Sequence, residues 1–165
     1  MTTPALHYTI EDLENALAAA LVIRHRANAE QWARRDAERK GVEFNPDTVD
    51  YSRIDEDGEN YIDWGELEDS FSLYQTDGNG GWTWVKAPLK LPGIGVIDDL
   101  AASHGGEGQG DEYWLVFAVK DDAGQTRMFQ RDGWYASFDG GHYDGPTFEV
   151  HPVQKVVTVY EEIGK

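Results

Sequence analysis

The segment from Ile10 to Lys40 predicts one long α-helix. Thr9 is a suitable N-cap residue, and acidic side chains follow it near the positive end of the helix dipole. Leu13, Leu17 and Leu21 recur at four-residue spacing and give the first half an apolar face, and a glycine follows the last helical residue. The second half has fewer apolar residues. The helix therefore fits two arrangements: a single surface helix packed on a sheet, or a helix whose second half projects or pairs with another chain.

Beyond Asn45-Pro46-Asp47, which favours a turn, the sequence is typical of β-strands. Phe71–Gln75 and Trp82–Lys86 flank a glycine-rich turn and predict a hairpin. Tyr113–Val119 is apolar at every position, which predicts a central strand covered on both faces. The remaining predicted strands lie near Gly95–Leu100, over Thr126–Arg131, over Trp134–Phe138 after a turn at Asp132-Gly133, and over Val153–Glu161.

These elements predict an α+β fold. We expect an N-terminal helical segment, residues 1–44, followed by a β-rich domain, residues 45–165. The strands of this domain are mainly antiparallel and form a twisted β-sheet or a small open barrel. The helix is expected to pack on the sheet as part of one compact unit.

Negative charge is concentrated in one short stretch of a chain whose net charge is −17. Residues 48–72, which we call the acidic segment, hold nine acids against one base, Arg53. A field of this sign repels nucleic acids and anionic membranes and attracts basic protein surfaces. We therefore expect no direct nucleic-acid or membrane binding. The candidate partner-binding residues are Asp50, Asp55, Glu56, Asp57, Glu59, Asp63, Glu66, Glu68 and Asp69.

Part of the acidic segment, DEDGENYIDWGEL, resembles the calcium-binding loop of the EF-hand family in its spacing. The metal ligands in this interpretation are the side chains of Asp55, Asp57, Glu59, Asp63 and Glu66 and the backbone carbonyl of Tyr61. Asn60 stands where the loop needs glycine, Glu59 is long for its position, and the flanking residues are poor helix formers. An acidic turn and an acidic binding face therefore stay open as alternatives.

The sequence contains no enzyme signature. Cysteine is absent, which excludes disulfides, zinc–thiolate sites and thiol nucleophiles. The five histidines lack metal-ligand spacing, and Ser103 and Ser137 lack the context of a nucleophile elbow. The GGEGQG stretch at residues 105–110 precedes a strand rather than a helix and has no P-loop lysine. We expect no catalytic residues and no cofactor other than calcium.

The cytoplasm of a bacterial host is the expected location. The N-terminus has neither the basic nor the apolar region of a secretory signal, and no apolar run reaches the length of a membrane span.

The C-terminal part resembles a group of small accessory proteins encoded by phages and prophages of actinobacteria. The resemblance covers roughly residues 103–161 and is carried by SHGGEGQGDEYWLVFAV, FQRDGWYASFDGGHYDG and FEVHPVQKVVTVYE. It implies a phage accessory protein and assigns no catalytic residue. The helix and the acidic segment lie outside it.

Three functions follow from these observations. The leading one is a non-enzymatic binding protein that inhibits or redirects a bacterial host or defence protein with a basic surface, with DNA mimicry as one mode. The second is a calcium-binding module. The third is a catalytic or sugar-binding β domain that uses the Trp-rich face. A homodimer through the N-terminal helix is compatible with each of them.

Overall fold

The computed structural model describes residues 7–52, 54, 62–106 and 111–160. One long helix is followed by mainly antiparallel strands that form a curled half-barrel, which confirms the predicted α+β fold. The helix is α1, Ile10–Lys40. The strands are β1 Ser72–Thr76, β2 Trp82–Lys86, β3 Leu89–Leu91, β4 Gly95–Ile97, β5 Leu100–His104, β6 Asp111–Lys120, β7 Thr126–Ala136, β8 Gly140–His142 and β9 Thr147–Val150. Short 3-10 turns occur at Pro46–Thr48 and Asp69–Phe71.

Helix α1 begins and ends where its sequence predicts. The hydroxyl of Thr9 accepts a hydrogen bond from the backbone N–H of Asp12 at 3.1 Å, and the Asp12 carboxylate accepts one from the Thr9 N–H at 2.8 Å. The Thr9 N–H and the Thr9 hydroxyl both donate to the Asp12 carboxylate and lower its pKa. At the other end Gly41 takes a left-handed conformation, with φ 67°. Both ends thus satisfy backbone groups that a helix leaves unpaired.

The helix packs on the strands along its length, as in the first of the two predicted arrangements. Its first half buries leucines in the core shared with the sheet. In the second half, the Arg24 guanidinium donates to the carbonyls of Ala87 and Pro88 at 3.1 and 2.7 Å. Asn28 accepts from the N–H of Tyr74 at 3.1 Å, and Trp32 stacks on the Tyr74 ring at 4.3 Å. Pairing between two copies through this helix stays a prediction.

Strands β6 and β7 form the centre of the half-barrel. They pair antiparallel from Asp111 opposite Tyr135 to Lys120 opposite Thr126. The other edge of β6 is shared by β4 and β5, and the other edge of β7 by β8 and β9. Leu115, Phe117 and Val119 of β6 are fully buried against α1. The central position of β6 is confirmed. Its second face is only partly covered, because Trp114 and Ala118 on that side are half-buried while Val116 is buried.

The structure also confirms the predicted hairpin, which is β1 paired with β2. The single strand predicted near Gly95–Leu100 is wrong: two strands, β4 and β5, occupy this region, separated at Asp98 and Asp99. A further short strand, β3, lies between Pro88 and Pro92 and pairs with β4. Prolines at the ends of a strand do not interrupt its ladder, which explains this difference.

The predicted turn at Asp132-Gly133 is wrong, because β7 continues through it. The strand changes partners here, from β9 to β8. The backbone of Asp132 bonds the connecting loop, donating its N–H to the carbonyl of Pro146 at 3.1 Å and accepting from the N–H of Gly145 at 3.0 Å. A Cβ on Gly133 would lie 2.0 Å from the carbonyl oxygen of His142. The glycine therefore permits a close approach of two backbones rather than a turn.

The predicted final strand over Val153–Glu161 is also wrong for the residues that the structure describes. Residues 151–160 are exposed and belong to no helix or strand, and the last strand is β9. The β-branched composition favours a strand, but a strand forms only against a partner. None of the described strands pairs with this tail.

Candidate functional site

A short turn at residues 63–71 holds the C-terminal part of the acidic segment against the sheet. Trp64, Leu67 and Phe71 recur at helical spacing and are buried. The ring of Trp64 lies 6.0 Å from that of Phe117 in the core. The acidic side chains between these anchors are on the outside: Glu66, Glu68 and Asp69 are exposed. Buried apolar residues thus fix the positions of a row of carboxylates.

Asp63 stabilises the start of this turn. Its carboxylate accepts hydrogen bonds from the backbone N–H groups of Gly65 at 3.0 Å and Glu66 at 3.3 Å. A short acidic side chain that bonds the backbone two and three residues ahead is a common turn device. The sequence of the turn therefore explains both its shape and its charge.

Two cavities adjoin along this turn, and we call them together the acidic groove. The larger has a volume of about 490 Å³ and the smaller about 350 Å³, and Trp64, Gly65 and Tyr143 line both. Four carboxylates line the groove: Glu14, Asp63 and Asp144 in the larger cavity and Glu68 in the smaller one. Arg131, His142 and His104 also line it.

Arg131 organises the larger cavity. It lies on β7, and its guanidinium donates to the carbonyl of Tyr143 at 2.8 Å and to the hydroxyl of Thr147 at 3.2 Å. It also donates to the Glu14 carboxylate at 3.3 Å, and Thr147 donates to the same carboxylate at 2.6 Å. The guanidinium lies 4.9 Å from the Trp64 ring centre. The positive charge of Arg131 is thus neutralised within the protein by Glu14. The remaining carboxylates give the groove a negative charge.

Tyrosines form the wall between the two cavities. The rings of Tyr113 and Tyr143 are 4.5 Å apart. Burial raises the pKa of Tyr143, and its hydrogen bond with Tyr113 and the negative charge of Glu68 raise it further. The phenol of Tyr143 therefore stays protonated at physiological pH and adds no charge of its own to the groove.

Of the nine predicted partner-binding residues, the structure brings Asp63 and Glu68 into the groove and places Glu66 and Asp69 beside them. Asp50 is exposed and accepts a hydrogen bond from the N–H of Ser52 at 2.9 Å. The other four predicted residues, Asp55, Glu56, Asp57 and Glu59, lie outside the described residues. Sequence reasoning missed two groove carboxylates, Glu14 and Asp144, because they are distant in the chain from the acidic segment.

No family model matches the chain, and neither a curated protein nor a solved structure does. The resemblance of residues 103–161 to phage accessory proteins stays a prediction. In the part of the chain that the structure describes, no helix combines the length and the apolar character that crossing a membrane requires.

The calcium interpretation also stays a prediction. Four of its six ligands, Asp55, Asp57, Glu59 and Tyr61, lie outside the described residues. The other two are Asp63, whose carboxylate binds the backbone of its own turn, and Glu66, which is exposed. Over residues 7–52, 54, 62–106 and 111–160, no three His, Asp or Glu side chains cluster so as to hold a metal ion.

We expect the melting temperature to be the same in millimolar calcium and in chelator, at fixed ionic strength and with magnesium as the control. One oxygen of the Asp63 carboxylate, Oδ1, already accepts hydrogen bonds from two backbone N–H groups, so this turn is stabilised without a cation. A ligand that binds only the native state raises its stability. A rise of several degrees specific to calcium would contradict this expectation and assign DEDGENYIDWGEL as a metal loop.

A second aromatic surface lies where the hairpin meets α1. Tyr74 contacts the rings of Trp32, Trp82 and Trp84 at 4.3, 5.4 and 5.1 Å. The Trp82 indole donates to the Glu38 carboxylate at 3.0 Å. This is the Trp-rich face of the third predicted function. Tyr74 stacks on Trp32 and Trp82, but Trp32 and Trp84 stay 45% and 50% exposed, so packing accounts for these rings only in part.

Proposed function

We propose that this is a non-enzymatic binding protein, encoded by a phage. Its acidic groove binds basic side chains on the surface of a bacterial host or defence protein. The observation that carries the proposal is the row of exposed carboxylates held by buried anchors beside a negative groove. Trp64 and Leu67 fix the turn, and Asp63 and Glu68 line the groove on either side. The phage origin rests on the resemblance of residues 103–161.

The chemistry of the groove favours lysine or arginine side chains as its occupants. Among the described residues, four carboxylates line it, and the one guanidinium there, that of Arg131, is already bound to Glu14. A cationic side chain can therefore pair with Asp63, Glu68 or Asp144. A charge-assisted hydrogen bond of this kind is about twice as strong as a neutral one.

Long-range attraction adds to these contacts. A net charge of −17 steers a basic protein toward this chain and raises the association rate. Carboxylates in fixed positions can stand in for the phosphates of DNA, so a nucleic-acid-binding enzyme of the host is a suitable partner. Binding through such contacts weakens as salt is added, because ions screen exposed charges.

The interactions inside the groove support binding rather than chemistry as its role. The guanidinium of Arg131 is engaged by Glu14 and Thr147, and the rings of Trp64 and Tyr143 are held by contacts with Phe117 and Tyr113. These interactions stabilise the shape of the acidic groove and leave exposed carboxylates beside it. They suit a surface that binds a partner.

The proposal is tested with a fluorescent nona-arginine peptide and two charge-matched variants. The groove variant combines Asp63→Asn, Glu66→Gln, Glu68→Gln and Asp69→Asn. Asparagine keeps the side-chain oxygen that accepts the hydrogen bonds of the turn at the first of these positions. The control variant neutralises in the same way four exposed acids that do not line the groove, namely Glu43, Asp47, Asp122 and Asp139.

We expect the groove variant to bind the peptide at least about tenfold more weakly than the unmodified protein, since four ion pairs of about 0.5 kcal/mol each, the middle of the range for such pairs, sum to about 2 kcal/mol. The control variant should bind within about threefold of the unmodified protein, because its charges lie away from the groove. Fluorescence anisotropy measures both affinities at one salt concentration. Equal weakening in the two variants would contradict the proposal, because only the total charge would then matter.

A further inference from the structure

The tail at residues 153–160 has the composition of a β-strand but no strand partner. Four valines and a tyrosine within it are largely exposed, and Val156 is 100% exposed. No helix or strand contains any residue of the tail. Apolar β-branched side chains in open solvent are unfavourable, and a segment of this composition is stable when it adds to a sheet. The tail has the local propensity of a strand, but the described part of its own chain gives it no strand to pair with. This conflict indicates that the tail pairs with a strand of another chain.

The tail extends past the end of its own sheet. In the ladder between β9 and β7, Val150 lies opposite Met128. Strand β7 begins at Thr126, only two residues earlier. If β9 continued in the same direction, Pro152 would reach the end of β7, and from Val153 onward the tail would have no strand of its own chain beside it.

Pro152 also prevents the tail from folding back on β9. A two-residue hairpin at His151-Pro152 would need a positive φ at one or both positions. Proline fixes φ near −65°, and the residue before it is confined to extended conformations. The tail therefore leaves β9 without reversing, and the outer edge of β9 stays open.

That outer edge is suited to accept a strand. Among the described strands, β9 pairs only with β7. Its Phe148 is 37% exposed at this edge strand. The unpaired N–H and C=O groups of an edge strand are a template for another strand.

We propose that the tail of one copy of this chain adds as an antiparallel strand to the outer edge of β9 in a second copy. Because β9 leads directly into the tail, a two-fold axis near Pro152 places each tail beside the partner's β9 at once. The interface is then isologous, as in most dimers. Proline suits this position because it has no N–H to donate. Before it β9 pairs with β7 of its own chain, and after it the tail pairs with β9 of the second copy.

Local charge favours a second copy as the occupant. The stretch from His151 to Tyr160 contains one lysine, Lys155, and no acidic residue, whereas the whole chain carries −17. Residues 151–160 thus bring no negative charge of their own to the acidic body of another copy. In this arrangement Lys155 lies beside β9, whose Glu149 already pairs with Arg127.

The test is the mass of the full chain in solution, measured by sedimentation or light scattering from micromolar to millimolar concentration. We expect a dimer of the 18.5 kDa chain. Val157→Pro removes a strand N–H and should give a monomer, whereas Val157→Thr keeps a β-branched residue and should stay dimeric. The monomer fold tolerates both changes, because Val157 is exposed and in no element.

A second measurement locates the interface. The chain has no cysteine, so single cysteines introduced at Val153, near the two-fold axis, and at Ala123, in an exposed turn, can be compared. Oxidation should link Val153→Cys into a disulfide dimer much faster than Ala123→Cys. A full chain that is monomeric at all concentrations would overturn the proposal. So would a dimer that persists in Val157→Pro or links equally at both positions.

Discussion

Replacing Phe117 by alanine is expected to lower the free energy of unfolding by about 4 kcal/mol, which is the middle of the range for a buried phenylalanine. Phe117 lies on the central strand β6 and is 0% exposed. Its ring packs against Phe129 of β7 at 5.8 Å and against Trp64 of the acidic turn at 6.0 Å. The cavity left by the missing ring would therefore separate the sheet from the turn that carries the carboxylates.

Urea unfolding monitored by tryptophan fluorescence measures this loss. The matched control is Phe138→Ala, the same change at a residue that is 93% exposed, which should alter the stability by less than about 0.5 kcal/mol. Similar losses in the two variants would show that Phe117 is not in the core. The Phe117→Ala variant should also bind a cationic peptide more weakly, since the acidic turn loses its support.

Replacing Arg131 by alanine is expected to cost about 2 kcal/mol, the second large effect, because removing one side of a partly buried ion pair and its hydrogen bonds leaves the partner groups uncompensated. The side chain is 17% exposed and bonds Glu14, Thr147 and the Tyr143 carbonyl. Its removal leaves the Glu14 carboxylate half-buried without its cation and the carbonyl of Tyr143 without this donor.

The control for this variant is Arg39→Ala. Arg39 pairs with Asp36 at 2.8 Å, but its side chain is 78% exposed, and surface pairs of this kind contribute little. We expect a change within about 0.5 kcal/mol for Arg39→Ala in the same urea experiment. A loss for Arg131→Ala as small as that of the control would contradict the role given to the network.

Local signals in the sequence were sufficient for the helix and the first hairpin. The cap at Thr9, the leucine spacing of α1 and the glycine-rich turn before Trp82 act within a few residues, so their outcome does not depend on the rest of the chain. The central strand β6 followed from its continuous apolar run. These elements carry most of the core.

The errors arose where distant contacts decide the structure. Asp132-Gly133 has the composition of a turn, but the approach of His142 to Gly133 makes the glycine part of a continuous strand. The tail beyond Pro152 has the composition of a strand, but no described strand of its own chain lies beside it. In both places the local composition favours the predicted structure, but the presence or absence of a neighbouring strand determines the structure that forms.

The candidate site was visible in the sequence only in part. The charge of the acidic segment pointed to Asp63 and Glu68, because those residues are close in the chain. Glu14 and Asp144 join them through the packing of α1 and of the loop after β8, and no sequence pattern links those positions. The groove is thus a product of the tertiary fold.

The most direct test of the proposed function is to map the bound nona-arginine peptide on the isotope-labelled protein by NMR. We expect the largest amide shift changes in residues 62–69 and 141–144, which border the acidic groove, and we expect them to diminish in the groove variant. Changes confined to the hairpin of β1 and β2, or spread evenly over all exposed acids, would contradict the proposed function.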